Sequence, residues 1–177
     1  RFLSKAKMRG IECEGIEANG ELASEAALYV GPVKQGFFPN IKPDKAADTI
    51  VMLDVLEHIV DPKFFLKSVS KFLTNDGVLV IQVPNLNSLL VQLEGENNSN
   101  FCYGHWSYFT EESLVGLLAS SGYREVYGET YISELDKILE FSESDINTCI
   151  NSLNIGKPVH AKEEVNTTWL HEYKLGY

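Results

Sequence analysis

Asp48-Thr-Ile-Val-Met-Leu-Asp-Val-Leu-Glu-His-Ile-Val-Asp-Pro62 is the most informative stretch of this 177-residue chain. Its β-branched run, Thr49–Leu53, predicts a buried strand that stops at Asp54. The polar pair Glu57-His58 follows closely, and Asp61-Pro62 predicts a helix start, because aspartate caps helices and proline suits the first helical position. In an open parallel sheet, ligands bind just beyond the C-terminal ends of the strands. We therefore expect functional side chains in this stretch.

Strand and helix candidates alternate along the rest of the chain. Further strands are predicted at Ile11–Glu17, Val33–Gly36, Val78–Val83 and Tyr123–Tyr127. Helices are predicted to begin at Asn19, Asp61 and Thr110, and a short one within 87–93, while Asn75-Asp76-Gly77 is typical of a turn. This alternation predicts an α/β fold with a doubly wound, mostly parallel sheet.

The charge and the cysteine content restrict the classes of function. A net charge of −10 argues against a nucleic-acid binder, which needs a basic face, and against docking on anionic membranes. No apolar run approaches the length of a membrane span, and no signal peptide is evident. Cys13, Cys102 and Cys149 fit neither a disulfide framework nor paired zinc-ligand spacing. We expect a cytoplasmic protein with reduced thiols, and we predict no metal site.

Two candidate ligand contacts follow the first two predicted strands. Glu17 ends the first strand, where an acidic side chain can accept hydrogen bonds from both hydroxyls of a ribose. The alternative is an ordinary surface glutamate. Gly36 allows close approach of a ligand to the backbone, and Phe37 could stack on a purine. Because Phe38 is adjacent, the two aromatic rings could equally belong to the core.

The end of the central strand supplies a second group of candidates. Asp54 either faces a bound ligand or caps the short helical turn that follows it. His58 could act as a general base, because imidazole titrates near neutral pH, or it could be a structural histidine bonded to the backbone. Glu57 is interpreted as a structural residue that anchors the loop.

A cluster of rings precedes the helix predicted at Thr110. His105-Trp106-Ser107-Tyr108-Phe109-Thr110 lies in a connection too long for a simple turn, and long connections at this edge of a sheet often form substrate walls. Its rings could line a pocket for an organic acceptor. The alternative is that Trp106 and Phe109 form a hydrophobic staple for the helix.

Two segments of this chain resemble segments of the class I S-adenosylmethionine (SAM)-dependent methyltransferases. The first is Leu56-Glu57-His58 with Asp61-Pro62, and the second is His105 with Tyr108-Phe109-Thr110. The resemblance is to the small-molecule branch of that family, and it extends from about Phe2 to Val126. It implies a Rossmann-like, doubly wound sheet. It also implies that residues 1–130 form the methyltransferase-like domain. Residues 131–177 would be a C-terminal helical extension or the remainder of the same domain.

The resemblance also implies a cofactor and roles for individual residues. SAM would be the methyl donor, with Glu17 and Ala18 at its ribose, Gly36 and Phe37 beside its adenine, and Leu53, Asp54, Val55 and His58 near its methionine portion. The catalytic residues would be His58 and His105, and the acceptor would be bound by His105, Trp106 and Tyr108. The expected partner is a small-molecule acceptor.

One departure from the family pattern concerns the strand with the Gly-x-Gly loop, which is absent from these residues. We therefore expect the sheet to be N-terminally incomplete, and residues 1–177 alone not to fold stably. The leading hypothesis is methylation of an O, N or C atom of a small organic acceptor. The alternative is an inactive methyltransferase-like binding or scaffold module. A nicotinamide-dependent oxidoreductase is disfavoured, because no Tyr-x-x-x-Lys is present.

Overall fold

The computed structural model describes residues 2–153 as a mixture of helices and strands. The helices are α1 (Phe2–Met8), α2 (Gly20–Val30), α3 (Pro62–Val69), α4 (Leu89–Glu94), α5 (Glu111–Ser120), α6 (Leu135–Ile138) and α7 (Glu143–Leu153). The strands are β1 (Gly15–Glu17), β2 (Val33–Gln35), β3 (Ala47–Leu53) and β4 (Leu73–Gln82). The described residues form two compact units. The first unit consists of residues 2–51 and 65–80, and the second consists of residues 52–64 and 81–153.

Strands β1 and β2 form a parallel pair within the first unit. Gly15 lies opposite Val33, and Glu17 lies opposite Gln35. Helix α2 connects the two strands, and it begins where predicted because the side chain of Asn19 accepts hydrogen bonds from the first-turn N–H groups. The strand predicted at Ile11–Glu17 is shorter than expected, since only its last three residues pair.

Strands β3 and β4 form a second, separate pair. The Thr74 hydroxyl donates to the Asp48 carboxylate over 3.1 Å, and the Asp54 N–H donates to the Gln82 carbonyl over 3.0 Å. The first contact joins the starts of the two strands and the second joins their ends, so the strands run parallel. The turn predicted at residues 75–77 is wrong, because these residues lie within β4, whose pairing with β3 keeps them extended.

Helix α3 begins as the sequence predicts. The Asp61 carboxylate accepts a hydrogen bond of 2.9 Å from the Phe64 N–H, and Pro62 is the first helical residue. Further along the helix, the side chains of Phe65 and Val69 are buried. Phe38 packs edge-on against Phe65 and Phe72, with ring centroids 5.4 and 5.5 Å apart.

Helical packing provides a core for the second unit. Leu89 and Leu90 of α4 and Ile138 of α6 are buried, and residues of α7 pack against them. The strand predicted at Tyr123–Tyr127 is wrong, because none of the described strands pairs with this segment. Residues 154–177, the end of the predicted extension, lie outside the described residues. Within 2–153, no helix is long and apolar enough to cross a membrane.

The start of α5 is held by a reciprocal pair of hydrogen bonds. The Thr110 hydroxyl accepts from the Ser113 N–H, and the Ser113 hydroxyl accepts from the Thr110 N–H, a capping box. We expect Thr110→Ala to lower the free energy of unfolding by about 1 kcal/mol, measured by urea denaturation. Ser120→Ala, in the last turn of the same helix, is the control. Equal stabilities of the two variants would contradict a capping role for Thr110.

Candidate functional site

Three side chains of the second unit meet beyond the end of β3. Glu57 and His58 lie in a short 3-10 turn, Leu56–His58, and His105 lies in the connection that leads to α5. The rings of His58 and His105 pack edge-to-face with their centroids 4.6 Å apart. One ligand atom from each of the three side chains lies within 4.8 Å of the other two. We call Glu57, His58 and His105 the carboxylate–imidazole cluster.

Backbone hydrogen bonds hold the connection against the 3-10 turn. The carbonyl of Glu57 accepts bonds from the N–H groups of Trp106 and Ser107, over 2.8 and 3.2 Å. Nδ1 of His58 lies 3.0 Å from the carbonyl oxygen of Gly104. Because a carbonyl oxygen only accepts, this contact assigns a proton to Nδ1, and in the neutral ring the lone pair is then on Nε2. The interpretation of Glu57 as a loop anchor therefore applies to its backbone carbonyl.

The side chain of Glu57 has a different environment from its backbone. Only 2% of the residue is exposed, and its Oε2 atom has no hydrogen-bond partner among the described residues. Burial raises the pKa of this carboxyl group above its ordinary value, and the charge of Asp54 raises it further. A bond from the Glu57 N–H and the charges of His58 and His105 act in the opposite direction. The carboxylate is thus desolvated, and His58 and His105 are the neighbours that oppose the rise of its pKa.

A small cavity borders the cluster. Its walls are formed by Glu57, Pro84, Asn85, Leu86, Val91, Asn100, Phe101, His105, Ser107, Tyr108 and Phe109. Its free volume is about 10 Å³, which accommodates one water molecule or ion and is too small for an organic ring. An organic molecule that contacted His105 would therefore have to lie at the open side of this cavity.

The predicted acceptor residues differ in their surroundings. Tyr108 lines the cavity, with its ring centroid 6.2 Å from that of His105. The side chain of Trp106 is 64% exposed and is not part of the cavity wall. Phe109 is buried and directly precedes the N-cap residue of α5, which is the staple position, whereas the exposure of Trp106 argues against its part in a staple.

Asp54 occupies an unusual backbone conformation at the end of β3. Its φ of +54° lies in the left-handed region, which residues other than glycine rarely adopt. The alternative role for Asp54, capping the next turn, is not observed, because Val55 precedes that turn and no side chain caps it. The Asp54 carboxylate instead lies 3.4 Å from the side-chain nitrogen of Gln82. Strained residues of this kind often occur at ligand sites.

The predicted nucleotide contacts of the first unit lie at the ends of β1 and β2. The Glu17 carboxylate accepts a hydrogen bond of 2.8 Å from the Asn19 N–H, and the Glu17 carbonyl accepts one of 2.9 Å from Gly36. Gly36 has a φ of +140°, and a Cβ atom there would collide with the side chain of Ile41. Phe37 is 70% exposed and Ala18 is exposed, so the ring of Phe37 is accessible for stacking.

Part of this arrangement is predictable from the sequence. Both histidines were candidates, and the structure places their ring centroids 4.6 Å apart. The side chain of Glu57 and the carbonyl of Gly104 were missed. The adjacency of Glu57 to His58 was the available signal for the carboxylate. No pattern in the sequence indicates the role of Gly104, because its contribution is a backbone oxygen.

Comparisons with solved structures and protein families show the class of fold. A SAM-dependent methyltransferase from Thermotoga maritima, a possible histamine N-methyltransferase, superposes with a TM-score of 0.58 and 23% identity, covering 69% of this chain and 59% of that protein. A SAM-dependent methyltransferase from Archaeoglobus fulgidus superposes with a TM-score of 0.61 and 21% identity. The superposition covers 86% of this chain and 72% of that protein. These likenesses confirm the predicted Rossmann-like fold.

The present chain thus spans about three fifths of the Thermotoga maritima protein. No curated protein matches it significantly. The family model described as a methyltransferase domain matches residues 1–127, which is most of the chain. The predicted family is therefore confirmed: the chain belongs to the methyltransferase domain family.

Proposed function

We propose that this protein transfers a methyl group from SAM to an O, N or C atom of a small organic acceptor. The observation that carries the proposal is the pair of imidazole rings, 4.6 Å apart beyond the end of β3, in a chain of the methyltransferase domain family. The two solved structures of similar fold, both SAM-dependent methyltransferases, support SAM as the donor.

The chemistry requires alignment and the removal of one proton. The acceptor atom attacks the sulfonium methyl carbon in line, the carbon–sulfur bond breaks, and its electron pair remains on S-adenosylhomocysteine. An O–H, N–H or acidic C–H acceptor also loses a proton. Imidazole suits this transfer near neutral pH, and Nε2 of His58 and the ring of His105 are the proposed bases. Most of the remaining acceleration would come from positioning the two substrates.

The donor contacts are proposed from the strand ends. Glu17 would accept hydrogen bonds from the ribose, next to Ala18, and its carboxylate is already oriented by the Asn19 N–H. Gly36 and the exposed ring of Phe37 would lie beside the adenine. Leu53, Asp54, Val55 and His58 would lie near the methionine portion, as the resemblance implies. The strained backbone of Asp54 supports its assignment.

The acceptor is proposed to be a small molecule and not a nucleic acid. The net charge of −10 disfavours a phosphate backbone as the partner. Tyr108, at the cavity wall, and the exposed ring of Trp106 would contact the acceptor from the open side. Aromatic side chains in such positions suit planar or apolar organic groups.

Replacement of Glu17 tests the donor site. We expect Glu17→Ala to weaken SAM binding by roughly 1.5–3 kcal/mol, because charge-assisted hydrogen bonds to the ribose would be lost. Isothermal titration calorimetry with SAM measures the loss. Glu12→Ala is the matched control, since Glu12 forms an exposed ion pair with Lys45 away from the strand end. Equal affinities of Glu17→Ala and wild type would show that the ribose assignment is wrong.

The function itself is tested by binding and by transfer. Calorimetry with SAM and with S-adenosylhomocysteine should detect one site per chain. Transfer of a labelled methyl group should then be assayed with phenols, catechols, primary amines and imidazoles as acceptors. Absence of SAM binding at millimolar concentration would overturn the proposal in favour of an inactive binding module. Binding with transfer to one acceptor class would establish the reaction.

A further inference from the structure

We propose that Glu57, His58 and His105 bind a single divalent transition-metal ion. The three side chains offer one carboxylate oxygen and two imidazole nitrogens, with one such atom of each within 4.8 Å of the other two. All three belong to the same compact unit, so their arrangement is internally defined. Two imidazoles with one carboxylate is a ligand set that holds catalytic zinc in metallopeptidases and non-haem iron in oxygenases.

The distances fit an empty site that contracts on binding. Ligand atoms about 2.0–2.2 Å from a tetrahedral zinc ion lie roughly 3.3–3.5 Å from one another. The ligand atoms of the three side chains are separated by up to 4.8 Å here, and side-chain rotations that move these atoms by about an ångström would bring them to the distances that zinc requires. The adjoining cavity, with a free volume of about 10 Å³, is of the size that one ion or one water molecule occupies.

The carboxylate of Glu57 is the second, independent observation. Its Oε2 atom is buried and has no partner among the described residues, although a buried carboxylate oxygen normally has one. Glu57 and His105 both line the small cavity. A cation bound between these groups would neutralise the carboxylate and satisfy the unpartnered oxygen.

The surroundings of the cluster resemble the outer shell of a metal site. Metal-binding histidines usually donate their other ring N–H to a carbonyl or carboxylate, which fixes the tautomer and the ring orientation. The 3.0 Å contact from Nδ1 of His58 to the Gly104 carbonyl is such a bond. The backbone of Glu57 is fixed as well, because its carbonyl accepts the N–H groups of Trp106 and Ser107.

The ligand chemistry selects the class of ion. Imidazole nitrogen favours zinc and the other first-row transition metals, whereas magnesium and calcium prefer sites made of oxygen alone. Three protein ligands leave at least one position of the ion open. If the protein transfers methyl groups as proposed above, the two imidazoles would be ligands instead of bases in the metal-bound form, and the open position would orient and polarise an acceptor oxygen or nitrogen. Ion binding itself does not depend on that function.

The test is calorimetric titration of the chelator-treated protein with ZnCl₂, in the absence of SAM. We expect one zinc ion per chain, and we expect Glu57→Gln, His58→Ala and His105→Ala each to weaken binding by about 100-fold or more. MgCl₂ should not bind measurably. Saturating zinc should raise the melting temperature of the wild type by roughly 5–10 °C, and that of Glu57→Gln by much less.

Two control variants remove other side chains that are able to bind zinc. Cys102→Ser removes an exposed thiol from the same connection, and His160→Ala removes an imidazole that lies outside the described residues. Both controls should retain wild-type affinity, and circular dichroism should confirm that all variants are folded. The proposal is overturned if zinc does not bind, if binding survives all three cluster substitutions, or if Cys102→Ser or His160→Ala abolishes it. Absence of SAM binding would leave this result unaffected.

Discussion

His105→Ala is expected to reduce methyl transfer by about 10²- to 10⁴-fold while SAM affinity stays close to that of the wild type. His105 lines the cavity, and its ring centroid lies 4.6 Å from that of His58, as the proposed roles of general base or metal ligand require. The variant would lose a general base or a metal ligand, and both are needed in the transition state more than in substrate binding. The loss should therefore fall mainly on kcat.

Steady-state kinetics with the acceptor identified in the transfer assay, together with SAM calorimetry, measures both quantities. The matched control is Tyr103→Ala, two residues earlier, whose side chain is fully exposed. Dependence of the wild-type rate on added zinc would assign His105 to the metal, whereas a rate insensitive to chelators would assign it to proton transfer. If His105→Ala turns over within about threefold of the wild type, His105 has no role in the reaction and serves only in the packing of the loop.

Glu57→Leu is expected to stabilise the metal-free protein. The wild-type side chain is a buried carboxylate with an unpartnered oxygen, and leucine fills a similar volume without a charge. Replacement of buried ion pairs by hydrophobic residues of similar size is often stabilising by about 1–4 kcal/mol, and a buried carboxylate with an unpartnered oxygen carries a desolvation cost of the same kind. We therefore expect a gain of that order in the free energy of unfolding at pH 8, measured by urea denaturation in the presence of a chelator.

The gain should depend on pH with a defined sign. Burial raises the pKa of Glu57 in the folded state above its value in the unfolded chain, so the folded state binds this proton more tightly. Stability of the wild type then falls as pH rises from the unfolded to the folded pKa. The advantage of Glu57→Leu is accordingly largest above the folded pKa, and it should shrink on acidification.

The matched control has the opposite expected sign. The Glu94 carboxylate accepts a hydrogen bond of 2.6 Å from the amide of Asn98, a residue only 2% exposed. Glu94→Leu should therefore destabilise the protein, by roughly 1–3 kcal/mol, because it leaves a buried amide without its acceptor. If Glu57→Leu destabilised the metal-free protein to the same extent, the carboxylate of Glu57 would be a stabilising group with a structural partner, and its burial would not carry the expected cost.

Local chemistry explains why the element boundaries around helices were predictable. Asn19, Asp61 and Thr110 each cap the helix that the sequence assigned to them, because a cap depends only on residues within one turn. Strands depend on a distant partner. Residues 75–77 have the composition of a turn but lie within β4, and Tyr123–Tyr127 is not part of any described strand.

The same distinction applies to the site. His58 and His105 were recognisable as chemically capable residues, since imidazole is suited to proton transfer and metal binding. Their contact was not predictable, because it depends on the loop being held by backbone atoms of Gly104, Trp106 and Ser107. The importance of the Glu57 side chain arises only from its burial beside the two rings, and burial is a property of the folded chain.

Backbone hydrogen bonds hold the loop that precedes α5 against the turn at residues 56–58. Every amino acid except proline supplies the N–H groups that residues 106 and 107 donate to the Glu57 carbonyl. Side chains at these two positions can therefore vary while the loop keeps its place and the imidazoles keep their spacing. In evolutionary terms, such a loop is free to diversify. If residue 106 contacts the acceptor as proposed, a change at this position could alter the choice of acceptor without rebuilding the scaffold.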